Sequence, residues 1–148
     1  MNCAFMPPLT MAVCFVLFGH GSATGQDPIK DTLEKVKAVH ATEVAKIRKE
    51  LIDSMQTKED DARREGKKAQ VDQIRADREA FEANSNLPTA VSTTAYLRKM
   101  KLAQKLMQAA YRQAIKDHTK AGDDDKATEV EVELESFLMT LVTDSLRA

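Results

Sequence analysis

Residues 96–137 read YLRKMKLAQKLMQAAYRQAIKDHTKAGDDDKATEVEVELESF, and this stretch decides the fold. It begins with a basic segment, turns at Lys120-Ala121-Gly122-Asp123 and ends with an acidic segment. Apolar residues recur at spacings of three and four residues on both sides of the turn, as on one face of a helix. Gly122 can take the left-handed conformation that ends helices, and Asp123-Asp124-Asp125 can cap the helix that follows. The stretch therefore predicts an antiparallel helical hairpin.

The acidic segment is ambiguous, because residues 129–135 alternate between glutamate and apolar residues. Such alternation alone predicts a strand. Val130, Leu134 and Phe137 also share a helical face, however, and no partner strand is visible in the sequence. We therefore predict a helix here.

A similar but fainter hairpin lies upstream. Asp27-Pro28 suits a helix start, and no Gly or Pro follows until Gly66, so the first helix should span residues 28–65, about 57 Å at about 1.5 Å per residue. A second helix over residues 69–83 follows the turn at Gly66. The apolar stripe of the first helix is longer than the second can cover, so we expect a second copy or another protein to cover the remainder.

The two hairpins share a spacing. A shift of 56 residues places Gly66 on Gly122 and Phe81 on Phe137, and keeps the apolar positions of the helix before each turn in register. This favours a diverged tandem repeat, with two unrelated hairpins as the alternative. The predicted fold is all-α: two tandem antiparallel hairpins of four helices, the first helix long. Within a helical domain of residues 26–148, hairpin one spans 28–83, a loop spans 84–91, and hairpin two spans 92–147, its first helix capped by Ser92, Thr93 or Thr94.

Four short motifs carry a resemblance to a known repeat: Tyr111-(x)2-Ala114, Lys120-Ala121-Gly122-Asp123, Ala127 and Glu133-Leu134-Glu135-Ser136-Phe137. They resemble the helical-hairpin repeat of uncharacterised exported bacterial proteins, a unit that is similar to tetratricopeptide helices. The first hairpin departs from the pattern, since Met55 replaces the Tyr and Lys58 the Ala. The resemblance implies packing and a turn, and no catalytic residue.

The N-terminus predicts export. Residues 1–26 contain no Lys, Arg, Asp or Glu, and an apolar run over residues 9–18 precedes small residues. This is the pattern of a signal peptide, and the run is too short to span a bilayer. Cleavage after Ala23 or, as we favour, after Gly25 would leave a mature chain without cysteine, since Cys3 and Cys14 lie upstream. We predict a signal peptide over residues 1–25, a periplasmic or extracellular location and no stable membrane insertion. An uncleaved anchor or a buried N-terminal helix is the alternative, because no positive charge precedes the run.

Charge divides the second hairpin. Seven basic residues and one acidic residue lie between Arg98 and Lys120, whereas eight acidic residues and one basic residue lie between Asp123 and Asp144. We expect the two helices to pair their opposite charges, although exposed ion pairs contribute only about 0 to 1 kcal/mol each. The alternative is a basic face that binds an acidic polymer or a membrane.

No catalytic, cofactor-binding or metal-binding residue is predicted. A helical di-iron site requires Glu-x-x-His, but Lys37 and Ile115 precede His40 and His118 by three residues. Asp123-Asp124-Asp125 lacks the glycine and distal glutamate of a calcium loop. Phosphate loops and serine-nucleophile motifs are absent from the sequence. Tyr111 and Phe137 are interpreted as core residues.

These observations predict a non-enzymatic exported helical scaffold, or a module that binds another protein or itself, without a cofactor and without nucleic acid. The alternative function is a periplasmic holdase-type chaperone that holds unfolded chains between helical arms. Such cradles are commonly basic, and the net charge of −1 argues against one.

Overall fold

The computed structural model describes the backbone of residues 27–147 and the side chains of residues 27–142. It contains four helices, which are α1 (Pro28–Arg64), α2 (Lys68–Asn84), α3 (Thr94–Ala121) and α4 (Asp124–Arg147). No strand occurs in this part of the chain, and residues 129–135 belong to α4, as predicted. The predicted signal peptide and its cleavage site lie outside the described residues.

The start of α1 follows from Asp27 and Pro28. The Asp27 carboxylate accepts hydrogen bonds from the backbone N–H groups of Ile29 at 3.1 Å and Lys30 at 3.2 Å. Pro28 occupies the first helical position, where its missing N–H costs nothing. This cap confirms the predicted helix start.

Both hairpin turns have the same backbone geometry. Gly66 has φ 71° and Gly122 has φ 77°, and both values lie in the left-handed region that glycine favours. In each turn the residue after the glycine donates a hydrogen bond to the carbonyl five residues before it: Lys67 to Ala62 at 2.9 Å and Asp123 to His118 at 3.0 Å. The glycine itself donates to the carbonyl three residues before it, at 3.1 Å in both turns. This pair of bonds is the Schellman arrangement that ends helices.

The connection between the hairpins differs from the prediction. It spans residues 85–93 instead of 84–91, and Ser85 ends α2 in the left-handed region with φ 61°. Thr93 stands immediately before α3, but its side chain makes no capping hydrogen bond. Thr93 is thus the cap residue, at one of the predicted positions, but the predicted side-chain cap is wrong, because Thr93 has ψ −1°, whereas the cap residue Asp27 has the extended value of 102°.

The helix α1 is the central element. α2 packs antiparallel to its C-terminal part, α3 packs antiparallel to the rest of it, and α4 packs antiparallel to α3. Two clusters of buried residues result, one formed by Leu51, Met55, Ala62, Val71, Ile74 and Phe81 and the other by Leu33, Met107, Tyr111, Ala114 and Val130. The expectation that another chain must cover the remaining stripe of α1 is therefore wrong, because α3 covers it.

The two hairpins contact each other in a reciprocal way. Phe81 of α2 packs edge-on against Tyr96 of α3, with ring centroids 5.6 Å apart and planes at 85°. Phe137 of α4 packs in the same manner against His40 of α1, at 5.7 Å and 81°. The 56-residue shift converts one pair into the other. The two contacts are equivalent in that the second helix of each hairpin touches the first helix of the other.

Candidate interaction surface

The most enclosed carboxylate in the described part of the chain is Glu59, which is 2% exposed. Its Oε1 lies 2.6 Å from Arg63 Nη2 and 3.2 Å from Arg75 Nη2, and its Oε2 lies 3.0 Å from Arg78 Nη1. Burial raises the pKa of Glu59, but the hydrogen bonds from Arg75 and Arg63 and the charge of Arg78 outweigh it, so this pKa is lowered. The cluster is a clamp that joins α1 to α2.

Sequence reasoning missed this clamp, although a signal was present. Glu59 follows Leu51 and Met55 at intervals of four residues and so extends the inward face of α1. A glutamate at such a position needs cations on the facing helix, because an isolated buried carboxylate is too costly. Arg75 and Arg78 are those cations.

His118 of α3 is buried beside the N-terminal end of α1, far from Glu59. It is 1% exposed, and its Nε2 lies 3.9 Å from Asp27 Oδ2. Lys126 Nζ lies 3.1 Å from the same oxygen. Burial raises the pKa of Asp27, but the hydrogen bonds from the Lys30 and Ile29 backbones and from the Lys126 side chain outweigh it and lower this pKa. Asp27 therefore caps α1 and also fastens it to the turn between α3 and α4.

The second histidine has a separate environment. His40 packs on Phe137, and burial lowers the pKa of this imidazole. Nearby, Lys37 Nζ lies 2.7 Å from Glu34, 2.5 Å from Glu133 of α4 and 5.6 Å from the centroid of the Tyr111 ring. Among the described side chains, no three of a metal-ligating type are placed to hold an ion.

Tyr111 and Phe137 have the positions that the sequence predicts. Tyr111 is 7% exposed, Phe137 is half-buried, and their ring centroids are 5.8 Å apart. A small cleft of about 90 Å³ lies between α1 and α3, where Glu50 and Lys99 form an ion pair at 2.5 Å. Since a water molecule occupies about 30 Å³ in the liquid, this cleft admits only a few waters.

The charges of α3 point away from α4. Within residues 27–142, no ion pair joins the two helices, and Lys99 pairs instead with α1. Six exposed cations of α3 have no described carboxylate within 4.0 Å, and these are Arg98, Lys101, Lys105, Arg112, Lys116 and Lys120. The expected pairing of opposite charges inside the hairpin is therefore wrong, because the two helices meet through apolar residues such as Ala114 and Val130.

The outer side of α4 has the opposite charge. Glu133 pairs with Lys37, but five exposed carboxylates of α4 have no described cation within 4.0 Å, and these are Asp124, Asp125, Glu129, Glu131 and Glu135. A shallow groove on this helix is lined by Asp125, Thr128, Glu129, Val132 and Glu133. Val132, in the middle of it, is 61% exposed.

Large apolar side chains accompany these charges. Leu102 and Leu106 of α3 are 58% and 63% exposed, and one helical turn separates them. Single exposed apolar residues are ordinary on protein surfaces. Leu102 and Leu106 differ because they adjoin a row of cations that the rest of the described chain does not neutralise. This surface of α3 and α4, rather than a catalytic cleft, is the candidate site.

None of the described helices is both long enough and apolar enough to cross a membrane. Comparison of the chain with protein-family models, with curated proteins and with solved structures found no match.

Proposed function

We propose that this chain is a non-enzymatic exported helical scaffold that binds a protein partner through the outer surface of α3 and α4. The observation that carries the proposal is the presence of exposed leucines beside charges without partners. The elongated α1 provides a rigid support, because α2 and α3 hold its apolar face along its length. Export is proposed from the charge-free N-terminal segment of residues 1–26.

The placement of the charges supports binding through this surface. Charges that stabilise the fold are paired across helices, as with Glu59 and Arg75, Lys37 and Glu133, and Asp27 and Lys126. The outer charges of α3 and α4 have no such role in the described part of the chain. Complementary charge on a partner would steer association and select the partner.

The test uses the chain from Gln26 onward. The wild-type chain and the Leu106→Asp variant are each crosslinked in an exported fraction, and the amount of captured partner is compared. We expect this substitution to weaken capture of the wild-type partner by at least about tenfold, the effect of losing an apolar contact of moderate strength. Ala45→Asp, at an exposed position of α1, is the matched control and should leave capture unchanged.

The free energy of unfolding of each variant distinguishes a loss of binding from a loss of folding. Both substitutions lie at exposed positions, so the free energy of unfolding should change by about 0.5 kcal/mol or less. A wild-type chain that sediments as a monomer and yields no crosslinked product would overturn the proposal. Equal loss of capture in both variants would show that α3 is not the binding surface.

The alternative, a holdase, is favoured only by the exposed leucines, which unfolded chains would contact. Suppression of the aggregation of an unfolded client at equimolar ratio, lost in Leu106→Asp, would replace the scaffold proposal. No suppression would remove the holdase.

A further inference from the structure

We infer that the partner is a second copy of this chain, with the outer stripe of α3 in one copy packed along the outer stripe of α4 in the next. This inference rests on the proposed function and names its partner. It follows from the spacing, length and charge of the two stripes.

The outer stripe of α3 is a row of exposed residues at alternating intervals of four and three, formed by Arg98, Leu102, Lys105, Ala109, Arg112 and Lys116. The exposed Leu106 flanks this row. Such spacing keeps side chains on one face of a helix and suits packing against a second helix at a shallow angle. The buried face of α3 uses a different set, including Met107, Tyr111 and Ala114. α3 therefore has two packing faces, of which the described chain occupies one.

The outer stripe of α4 has the same kind of spacing, and it is formed by the exposed residues Asp125, Thr128, Val132, Glu135, Met139 and Val142. Glu129 and Glu131 flank it. From end to end this stripe is about 26 Å long and that of α3 is about 27 Å, at about 1.5 Å per residue. The two stripes match in length.

Charge selects the pairing of one stripe with the other. The stripe of α3 carries four cations and no carboxylate, whereas the stripe of α4 and its flanks carry four carboxylates and no cation. Two α3 stripes would repel each other, and so would two α4 stripes. An apolar residue sits within each charged row, Leu102 on α3 and Val132 on α4, and a contact between the stripes would bury both.

The two stripes of one copy cannot meet, because α3 and α4 of that copy already contact each other through their inner faces. The contact must join different copies, and it uses different surfaces on the two partners. Such heterologous contacts generate rings or open filaments rather than closed dimers. An anionic membrane would attract the cations of α3 but repel the carboxylates of the adjoining α4. This favours a second copy over a lipid surface.

The test is a charge exchange on the chain from Gln26 onward, followed by sedimentation over a range of concentrations. Lys105→Glu/Arg112→Glu/Lys116→Glu gives the α3 stripe a net negative charge, so that both stripes are acidic, and Glu129→Lys/Glu131→Lys/Glu135→Lys gives the α4 stripe and its flanks a net positive charge, so that both are basic. We expect each variant alone to lose self-association by at least about tenfold, because like charges then face each other. An equimolar mixture of the two variants should associate again, because each acidic stripe then meets a basic one.

A control matched to the acidic variant has the same change in net charge at exposed lysines outside both stripes: Lys30→Glu/Lys35→Glu/Lys58→Glu. It should associate as the wild type does. The association of the wild type should also weaken as salt increases, since exposed charges are screened. Circular dichroism checks folding, and the salt titration of the wild type tests the inference even where a variant unfolds.

Three outcomes would overturn the inference: a wild type that stays monomeric, a mixture that does not associate, or association that salt does not weaken. A monomeric wild type that crosslinks to a different protein would leave the proposed scaffold function intact. A monomeric wild type that binds vesicles of anionic phospholipid, and no protein, would overturn both and assign α3 to a membrane surface.

Discussion

At the scale of single residues, the two hairpins fill equivalent positions with different chemistry. The 56-residue shift places Glu59 on Ile115 and Arg78 on Leu134. Hairpin one therefore joins its helices with a charge cluster around one buried glutamate where hairpin two uses aliphatic side chains. The glutamate is buried and its arginine partners are partly exposed, so removal of an arginine leaves a buried carboxylate with less compensation, and removal of the glutamate leaves the arginines without their shared counter-charge.

The first prediction concerns Glu59→Gln. We expect it to lower the free energy of unfolding by about 1–3 kcal/mol, because the amide keeps the shape but leaves Arg75 and Arg78 without this counter-charge and Arg63 with Asp60 alone. Chemical denaturation measures the change. The neighbouring substitution Asp60→Asn is the control, since Asp60 forms a largely exposed pair with Arg63 and should contribute at most about 1 kcal/mol.

The same cluster predicts that the stability of the fold falls at acidic pH. The folded-state pKa of Glu59 is lowered, so its stabilising effect is complete above the unfolded pKa of about 4.3 and is lost as the pH falls through the lower folded value. The melting temperature of the wild type should therefore decline below about pH 4 more steeply than that of Glu59→Gln. Parallel declines would mean that the cluster does not contribute to acid sensitivity.

At the scale of helices and turns, sequence reasoning located each helix to within one or two residues. Gly66 and Gly122 made this possible, because a left-handed turn needs a particular residue whatever surrounds it. The start of α3 was harder to predict from the sequence. The Asp77 carboxylate accepts hydrogen bonds from the N–H groups of Thr89 at 2.7 Å and Ala90 at 2.8 Å, and Leu87 packs on the first cluster. Tertiary contacts therefore position the loop, and capping motifs alone could not reveal them.

The prediction at this scale concerns the turn glycines. Gly122→Val should lower the free energy of unfolding by about 1–2 kcal/mol, because a side chain resists positive φ. A Cβ at this position would meet no atom within 4 Å, so the cost is conformational rather than steric crowding by neighbours. Gly66→Val should have a similar effect, since its surroundings are equally open.

Gly122→Asn is the matched control, because asparagine tolerates the left-handed region better than a β-branched residue. It should recover most of the loss in a thermal melt. Equal destabilisation by valine and asparagine would contradict the conformational explanation.

At the scale of the whole molecule, the hairpin order was predictable but the docking of one hairpin on the other was not. Periodicity shows that α1 has a long apolar stripe, and it does not show whether the covering helix comes from the same chain. The structure assigns this role to α3. The same limit explains the charges: composition shows that α3 and α4 are opposite in sign, whereas only the orientation of each helix shows that these charges face outward.

The docking has a consequence for folding. α1 is continuous and contributes Leu51 and Met55 to one core cluster and Leu33 to the other. Neither hairpin retains its full buried surface without the other. We therefore expect the two clusters to unfold in a single transition, as small domains with one connected core commonly do.

The two tyrosines can report on this, because each belongs to a different cluster and the chain has no tryptophan. Tyr96→Phe leaves Tyr111 as the probe of hairpin two, and Tyr111→Phe leaves Tyr96 beside Phe81. For each variant, the urea midpoint of unfolding measured by tyrosine fluorescence should coincide with the midpoint measured by circular dichroism. Phe81→Ala, which removes a fully buried ring and should cost about 3–5 kcal/mol, should lower both midpoints together. If Phe81→Ala lowers the urea midpoint reported by Tyr96 but not the midpoint reported by Tyr111, the hairpins unfold separately, and α1 does not couple them.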